Sequence, residues 1–126
     1  MDVLLVDDNV LMQQLIARFL GELGYTVGVA GLASEALARA RQSPPALLLI
    51  DMHLPDCDGP DALAALRRLP GCAGTPAVAI SGLAEEDARH LLKGDFSEYL
   101  VKPIDLDTLQ ATVARYLGPA LERSVA

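Results

Sequence analysis

The stretch ALLLID at residues 46–51 places a carboxylate directly after five consecutive apolar residues. A strand that is apolar at every position must be covered on both faces, which is typical of a parallel sheet between two layers of helices. A charge beside such a run is costly unless something compensates it. The stretch therefore predicts a buried strand that delivers a functional acid, Asp51, to the edge of a sheet.

The rest of the chain alternates similar runs with segments of helical spacing. Further apolar runs occupy residues 3–6, 77–80 and 99–101, and a weaker one, broken by Gly28, occupies 26–30. The spacing predicts five helices: over 12–23 with Gly24 as its stop, from a Ser34 cap to Arg41, from the turn 58–61 to Leu69, over 83–93, and from an Asp105 cap to Leu117. Strand–helix alternation with short connections implies right-handed crossovers and a doubly wound α/β sheet.

Composition and charge narrow the classes of partner. Of the 126 residues, 52% are hydrophobic and 21% are charged, which fits one folded domain and excludes wholesale disorder. The formal net charge of −7 disfavours nucleic acid as a direct partner, and apolar runs of at most five residues disfavour a membrane. The first residues lack a basic signal region and the two cysteines form no CxxC pair, so we expect a cytoplasmic protein with free thiols.

Polar side chains directly follow four of the apolar runs. They are Asp7 with Asp8, Asp51, Ser81, and Lys102 with Pro103. Ligands of an open α/β sheet bind beyond the carboxyl ends of its strands, so we expect these side chains to meet at one site. Each alone could be an ordinary loop residue, whereas three carboxylates, one hydroxyl and one ammonium together indicate a function.

The chemistry of this set points to phosphoryl transfer. Three converging carboxylates repel one another, and Mg²⁺, which prefers hard oxygen ligands, is the natural compensation. A carboxylate can act as the nucleophile while Mg²⁺ and Lys102 neutralise the transferring group. Neither a GxxxxGK[ST] nor a GxGxxG loop is present, so nucleotide binding is unsupported.

At these residues the chain resembles the receiver domain of two-component response regulators, of the chemotaxis-regulator type. The resemblance is carried by VLLVDDN at 3–9, LLLIDMHLPDCDG at 47–59, AISG at 79–82 and YLVKP at 99–103. It implies a receiver over residues 1–120 with a C-terminal tail at 121–126, and a flavodoxin-like, five-stranded parallel sheet of order 2-1-3-4-5 with five helices. It also implies a signalling module that catalyses, at most, its own phosphorylation and dephosphorylation.

The resemblance implies a metal site around the phosphoacceptor. Asp51 corresponds to the phosphoacceptor, and Asp8 to the acid that ligates Mg²⁺ directly, together with Asp51 and the backbone carbonyl of His53. Asp7 corresponds to the acid that acts on the metal through water. The remaining carboxylates of this region, Asp56, Asp58 and Asp61, are expected to be dispensable for the metal.

The resemblance also implies a switch. Ser81 corresponds to the hydroxyl that moves to grip the phosphoryl group, Lys102 to the lysine that pairs with it, and Tyr99 to the aromatic residue that then turns inward. Pro103 follows a peptide bond that is often cis in this family, and Gly59 shapes the loop after the phosphoacceptor.

Partners follow from the same resemblance. A histidine kinase or a phosphotransfer protein would donate the phosphoryl group, and an unidentified output protein would read the face made by the fourth helix, the fifth strand and the fifth helix. Whether two copies form a homodimer through that face is left open. So is the choice between a stand-alone receiver and one excised from a larger protein such as a hybrid sensor kinase.

Two features depart from the family pattern. Asp95 and Phe96 stand where a Gly-Ala pair is common in the family, between the predicted fourth helix and the fifth strand. His53 and Leu83 stand at positions that, by the resemblance, would tune how fast the acyl phosphate hydrolyses.

Three alternatives compete with a phosphoacceptor. An aspartyl-nucleophile phosphatase usually carries two aspartates two residues apart after its first strand, whereas Asp7 and Asp8 are adjacent. A flavodoxin-like binder needs a hydroxyl-rich loop where residues 7–9 would repel phosphate. A degenerate receiver that serves only as an interaction scaffold is disfavoured because all five chemical positions are filled.

Overall fold

The computed structural model describes residues 1–82 and 96–119. Five strands in these ranges form one sheet: β1 (Val3–Val6), β2 (Val27–Ala30), β3 (Leu47–Asp51), β4 (Ala77–Ser81) and β5 (Glu98–Val101). All neighbouring pairs are parallel, and the order is β2-β1-β3-β4-β5. The doubly wound sheet and its strand order are as predicted.

Four α-helices and one short 3₁₀ turn lie within the described ranges. They are α1 (Val10–Glu22), α2 (Ala33–Gln42), α3 (Gly59–Arg67), the 3₁₀ turn Pro70–Cys72, and α4 (Leu106–Leu117). The helix predicted over 83–93, which includes Leu83, lies outside the described residues, as do Asp95 and the predicted tail at 121–126. The helix predicted as the fifth is therefore α4 here.

Two helix caps follow the local sequence. The side chain of Asn9 accepts a hydrogen bond from the Met12 N–H at 3.2 Å and starts α1. Asp105 accepts from the N–H of Thr108 at 3.1 Å and from its hydroxyl at 2.8 Å, which confirms the predicted cap of α4. Gly24, the predicted stop of α1, has a φ of 103°, a conformation that glycine adopts readily.

The predicted cap of α2 is wrong. The helix begins at Ala33, one residue before Ser34, and its N-cap residue Leu32 makes no side-chain capping bond among the described residues. Instead the carboxylate of Asp56, on the loop after β3, accepts from the N–H groups of Ala33 at 2.9 Å and Ser34 at 3.1 Å. A charged acceptor from another segment thus takes the place of the local hydroxyl.

The sheet is covered on both faces. Leu4 and Val6 pack on the side of α2 and α3, while Val3 and Leu5 pack on the side of α1 and α4. All four residues of β1 are fully buried. This explains why β1 and β3 are apolar at every position before the terminal acid, as the sequence predicted.

Fewer apolar residues of α1 are buried than the spacing of the sequence predicted. Ile16 and Leu20 are fully buried against the sheet, whereas Leu15 is 49% exposed. Consecutive helical residues point about 100° apart, so Leu15 leaves the stripe that Ile16 occupies. No helix within the described ranges is long and apolar enough to span a membrane.

Candidate functional site

Strand register brings the predicted acids together. Val6 pairs with Ile50 on adjacent strands, so Asp7, just after β1, and Asp51, the last residue of β3, leave the sheet side by side. An ordinary parallel register thus places two carboxylates at the carboxyl edge of the sheet.

Three carboxylates converge at this edge. One oxygen from each of Asp7, Asp8 and Asp51 lies within 4.8 Å of the other two. Asp7 is fully buried, Asp51 is 6% exposed, and Asp8 faces solvent. The site therefore combines two buried acids with one that an incoming ion or ligand can reach.

Lys102 joins the site from β5. Its Nζ lies 3.3 Å from Oδ2 of Asp7 and 3.3 Å from Oδ2 of Asp51. Partial burial acts to lower the pKa of Lys102, but the two carboxylates outweigh it and raise that pKa above its ordinary value. The ammonium stays charged and offsets part of the negative charge.

Asp7 is held by the backbone on one side and left open on the other. Its Oδ1 accepts from the N–H of Asn9 at 2.9 Å. Its buried Oδ2 has the Lys102 ammonium nearby but accepts no well-formed hydrogen bond from any described residue. Burial, followed by the charge of Asp51, raises the pKa of Asp7, against the opposing effects of the Asn9 N–H and Lys102.

This donor set fits a hard divalent cation. The unsatisfied Oδ2 of Asp7 and the neighbouring oxygens of Asp8 and Asp51 supply negative charge without enough donors to balance it. Carboxylate oxygens are the ligands that Mg²⁺ prefers. The acids that the sequence assigned to a metal are thus the acids that the structure brings together.

Asp51 is oriented by its own loop. Its Oδ1 accepts from the N–H of His53 at 3.1 Å, which leaves Oδ2 toward Lys102. The loop returns to the strand at Gly59, where a Cβ would lie 2.9 Å from the Cα of Met52 and 3.2 Å from the carbonyl oxygen of Asp51. This close approach requires glycine and keeps α3 against the end of β3.

The predicted switch residues lie on the neighbouring strands. Ser81 ends β4 in a fully buried position, and its carbonyl accepts from the N–H of Lys102 at 2.7 Å. The Lys102–Pro103 peptide bond is cis, as the resemblance implied. Tyr99 is half-buried in β5 and packs against the core on the side of α2 and α3.

A comparison with protein families agrees with this arrangement. The family model of the response regulator receiver domain matches residues 3–114. The chain belongs to the response regulator receiver domain family. The motifs that predicted this membership are the segments that carry Asp7, Asp8, Asp51, Ser81 and Lys102.

The segment that matches this chain makes up very different shares of two curated relatives. An uncharacterized 14.6 kDa protein of Leptolyngbya boryana is 37% identical over 117 residues, which cover 92% of this receiver and 89% of that protein. The signal transduction histidine-protein kinase BarA of Escherichia coli K12 is 34% identical over 117 residues, which cover 92% of this receiver but only 13% of the kinase.

Solved structures share the fold over nearly the whole receiver. The receiver domain of the sensor histidine kinase PA1611 from Pseudomonas aeruginosa, with a magnesium ion in its active site cleft, aligns with a TM-score of 0.84 at 30% identity, covering 93% of this chain and 97% of that one. The chemotaxis response regulator CheY4 of Vibrio cholerae aligns with a TM-score of 0.85 at 28% identity, covering 92% and 98%.

One residue that supports the site, Gln13, escaped the sequence analysis, as did the contact that a second residue, Asp56, makes with α2. The side-chain amide of Gln13 donates to the carbonyl of Asp7 at 2.6 Å, and Asp56 ties the loop after β3 to α2. Gln13 lies on α1 with no neighbouring motif, so no sequence signal marks it. Asp56 stands among other acids, and its contact with a segment 22 residues away has no local signature.

Replacing Asp7 with asparagine is expected to stabilise the metal-free receiver by about 1 kcal/mol at pH 7, because it removes a buried charge with an unsatisfied oxygen. Burial holds the pKa of Asp7 in the folded receiver above its ordinary value of 3.8. Ionisation of Asp7 therefore lowers the folding stability fully at pH values above the raised pKa and not at all at pH values below 3.8. The stability that Asp7→Asn gains over wild type should therefore shrink as the pH falls. Urea unfolding of both proteins at several pH values, with and without a chelator, measures this difference in the free energy of unfolding.

Added Mg²⁺ provides the control for this prediction. The ion should stabilise the wild-type receiver more than Asp7→Asn, because the variant offers it less negative charge. A metal-free Asp7→Asn receiver that is less stable than wild type would show that the ion pair of Asp7 with Lys102 outweighs the burial of the carboxylate.

Proposed function

We propose that this receiver accepts a phosphoryl group on Asp51 in a Mg²⁺-dependent reaction. The supporting observation is the convergence of the Asp7, Asp8 and Asp51 oxygens within 4.8 Å, with the Lys102 ammonium 3.3 Å from two of these acids. Asp8, Asp51 and the backbone carbonyl of His53 would hold Mg²⁺ directly, and Asp7 would act through water. When bound, Mg²⁺ supplies positive charge to the phosphoryl oxygens.

The nucleophile is a carboxylate oxygen of Asp51. Its partner oxygen is fixed by the His53 N–H, so the side chain is oriented before the donor arrives. A new bond forms between that oxygen and phosphorus as the phosphorus–nitrogen bond of a donor phosphohistidine breaks. The departing imidazole keeps the electron pair of the broken bond, and Lys102 offsets the charge that develops on the phosphoryl oxygens.

The switch would run from the phosphoryl group to β5. The acyl phosphate carries a charge of about −2 at neutral pH. Ser81 on β4 would turn its hydroxyl toward this group, and half-buried Tyr99 would move into the vacated space. Val101, which is 43% exposed on the same strand, belongs to the face that an output protein would read. The change is a population shift between two packings.

The phosphodonor would be a histidine kinase or a phosphotransfer protein. We place the receiver unit at residues 1–120, leaving open whether it acts alone or within a larger protein. In the relatives described above, the matched segment is most of a small protein in one case and a small part of a kinase in the other.

Phosphoryl uptake from acetyl phosphate tests this function directly. Intact-mass spectrometry of the wild-type receiver is expected to show the gain of one phosphoryl group in Mg²⁺ and none in excess chelator, since the acid cluster then lacks its counter-charge. Equal labelling with and without chelator would contradict the proposed role of the acids.

A further inference from the structure

Asp56 connects two segments that flank the candidate site. It lies on the loop between β3 and α3, and its carboxylate accepts the Ala33 and Ser34 N–H groups of α2 at 2.9 and 3.1 Å. These N–H groups would otherwise lack a helical partner at the start of α2. They also lower the pKa of Asp56, that of Ala33 having the larger effect, so the carboxylate is charged at neutral pH.

The loop that carries Asp56 is closed on itself. The Leu54 N–H donates to the Cys57 carbonyl at 3.2 Å, His53 and Asp58 form an antiparallel bridge, and the Gly59 N–H donates to the Met52 carbonyl at 2.9 Å. A loop tied at three levels moves as a unit. A restraint at its tip is therefore felt at its base, where the N–H of His53 orients Asp51.

An open cleft lies beside the contact between Asp56 and α2, next to the site. The cleft has a volume of about 490 Å³ and is lined by residues that include Asp8, Gly31, Leu32 and Pro55. Away from the cleft, Leu54 of the loop packs in the same buried cluster as Ala33 and Ala36 of α2. The two bonds of Asp56 fix the loop against the first turn of α2 at the rim of the cleft.

We propose that Asp56 is a positioning residue, which clamps the phosphoacceptor loop to α2 and so holds the His53 backbone in register for metal binding. This inference rests on the proposed function, because it assigns to Asp56 the geometry of a site that binds Mg²⁺. It replaces the expectation that Asp56 is dispensable for the metal. Asp56 is no ligand and acts through the loop.

The chain offers a matched control at the opposite edge of the sheet. The carboxylate of Asp2 accepts the Thr26 N–H at 2.9 Å, so it also joins two segments through a backbone donor. Asp2→Ala removes the same type of contact far from the acids. A purely structural effect of losing a carboxylate–backbone bond would appear in both variants.

The test is a Mg²⁺ titration followed by NMR on the wild-type receiver, Asp56→Ala, Asp56→Asn and Asp2→Ala. Asp56→Ala is expected to weaken Mg²⁺ binding about tenfold, the effect of losing a residue that orients metal ligands. Asp56→Asn keeps one acceptor oxygen and should fall between Asp56→Ala and wild type, while Asp2→Ala should match wild type. In phosphoryl uptake from acetyl phosphate, the Mg²⁺ concentration that gives half the maximal rate should rise in Asp56→Ala and stay at the wild-type value in Asp2→Ala.

The possible results separate the inference from the proposed function. If wild type, Asp2→Ala and Asp56→Ala all bind Mg²⁺ with the same affinity, the positioning role is overturned and the proposed function is not. A half-maximal Mg²⁺ concentration for phosphoryl uptake that is the same in Asp56→Ala and wild type would also overturn the positioning role. A wild-type receiver that fails to bind Mg²⁺ would overturn the proposed function and the inference together.

Discussion

Asp51→Asn is expected to abolish Mg²⁺-dependent phosphoryl uptake from acetyl phosphate. The amide has nearly the same shape as the carboxylate but lacks the charged oxygen that attacks phosphorus. Its oxygen can still accept the His53 N–H, which lies 3.1 Å from Oδ1 in the wild type, so the loop should keep its conformation. Intact-mass spectrometry after incubation with acetyl phosphate measures the loss.

The thermal stability of Asp51→Asn serves as the control that the variant is folded. Asp51 lies close to Asp7, and its removal relieves a repulsion between like charges, while Lys102 retains Asp7 as a partner at 3.3 Å. Asp51→Asn should therefore melt no earlier than wild type in the absence of metal. Mg²⁺-dependent labelling that persists in the variant, at any other residue, would refute Asp51 as the acceptor.

Asp8→Ala is expected to weaken Mg²⁺ binding by roughly tenfold or more, the scale of effect for a group at a metal site. Asp8 is the solvent-facing member of the cluster, so it can present an oxygen to an incoming ion without a cost in burial. Its replacement removes charge and a ligand but little packing. Calorimetric titration measures the affinity, and phosphoryl uptake at limiting Mg²⁺ should fall in parallel.

Asp61→Ala is a suitable control for Asp8→Ala. Asp61 is an exposed carboxylate in the first turn of α3 and lies outside the three-acid cluster. Its removal changes the net charge of the chain equally, so a general electrostatic effect would weaken Mg²⁺ binding in both variants. If Asp8→Ala titrates like wild type, Asp8 is not a ligand of the ion.

The sequence predicted the sheet and the acid cluster because both depend on short, strong patterns. A strand covered on both faces must be apolar throughout, so residues 47–50 could be read as a buried strand without further information. The position of a residue after such a strand then fixes the edge at which it lies. Asp7, Asp51 and Lys102 meet for that reason alone.

Contacts between distant segments were not predictable in the same way. Ser34 has the side chain of a helix cap, but the Ala33 N–H is satisfied by Asp56 from another loop. Nothing in the local sequence distinguishes Asp56 from Asp58, which stands at the N-cap position of α3 and makes no capping bond among the described residues. The identity of a residue predicts what it can accept, whereas the fold decides which donor it meets.

The ionic balance of the site has a consequence for the choice of ion. With its three acids ionised and Lys102 protonated, the pocket carries two uncompensated negative charges. A sodium or potassium ion would leave one of these charges uncompensated, whereas a divalent ion would balance both. The charge of the cluster therefore favours a divalent over a monovalent cation.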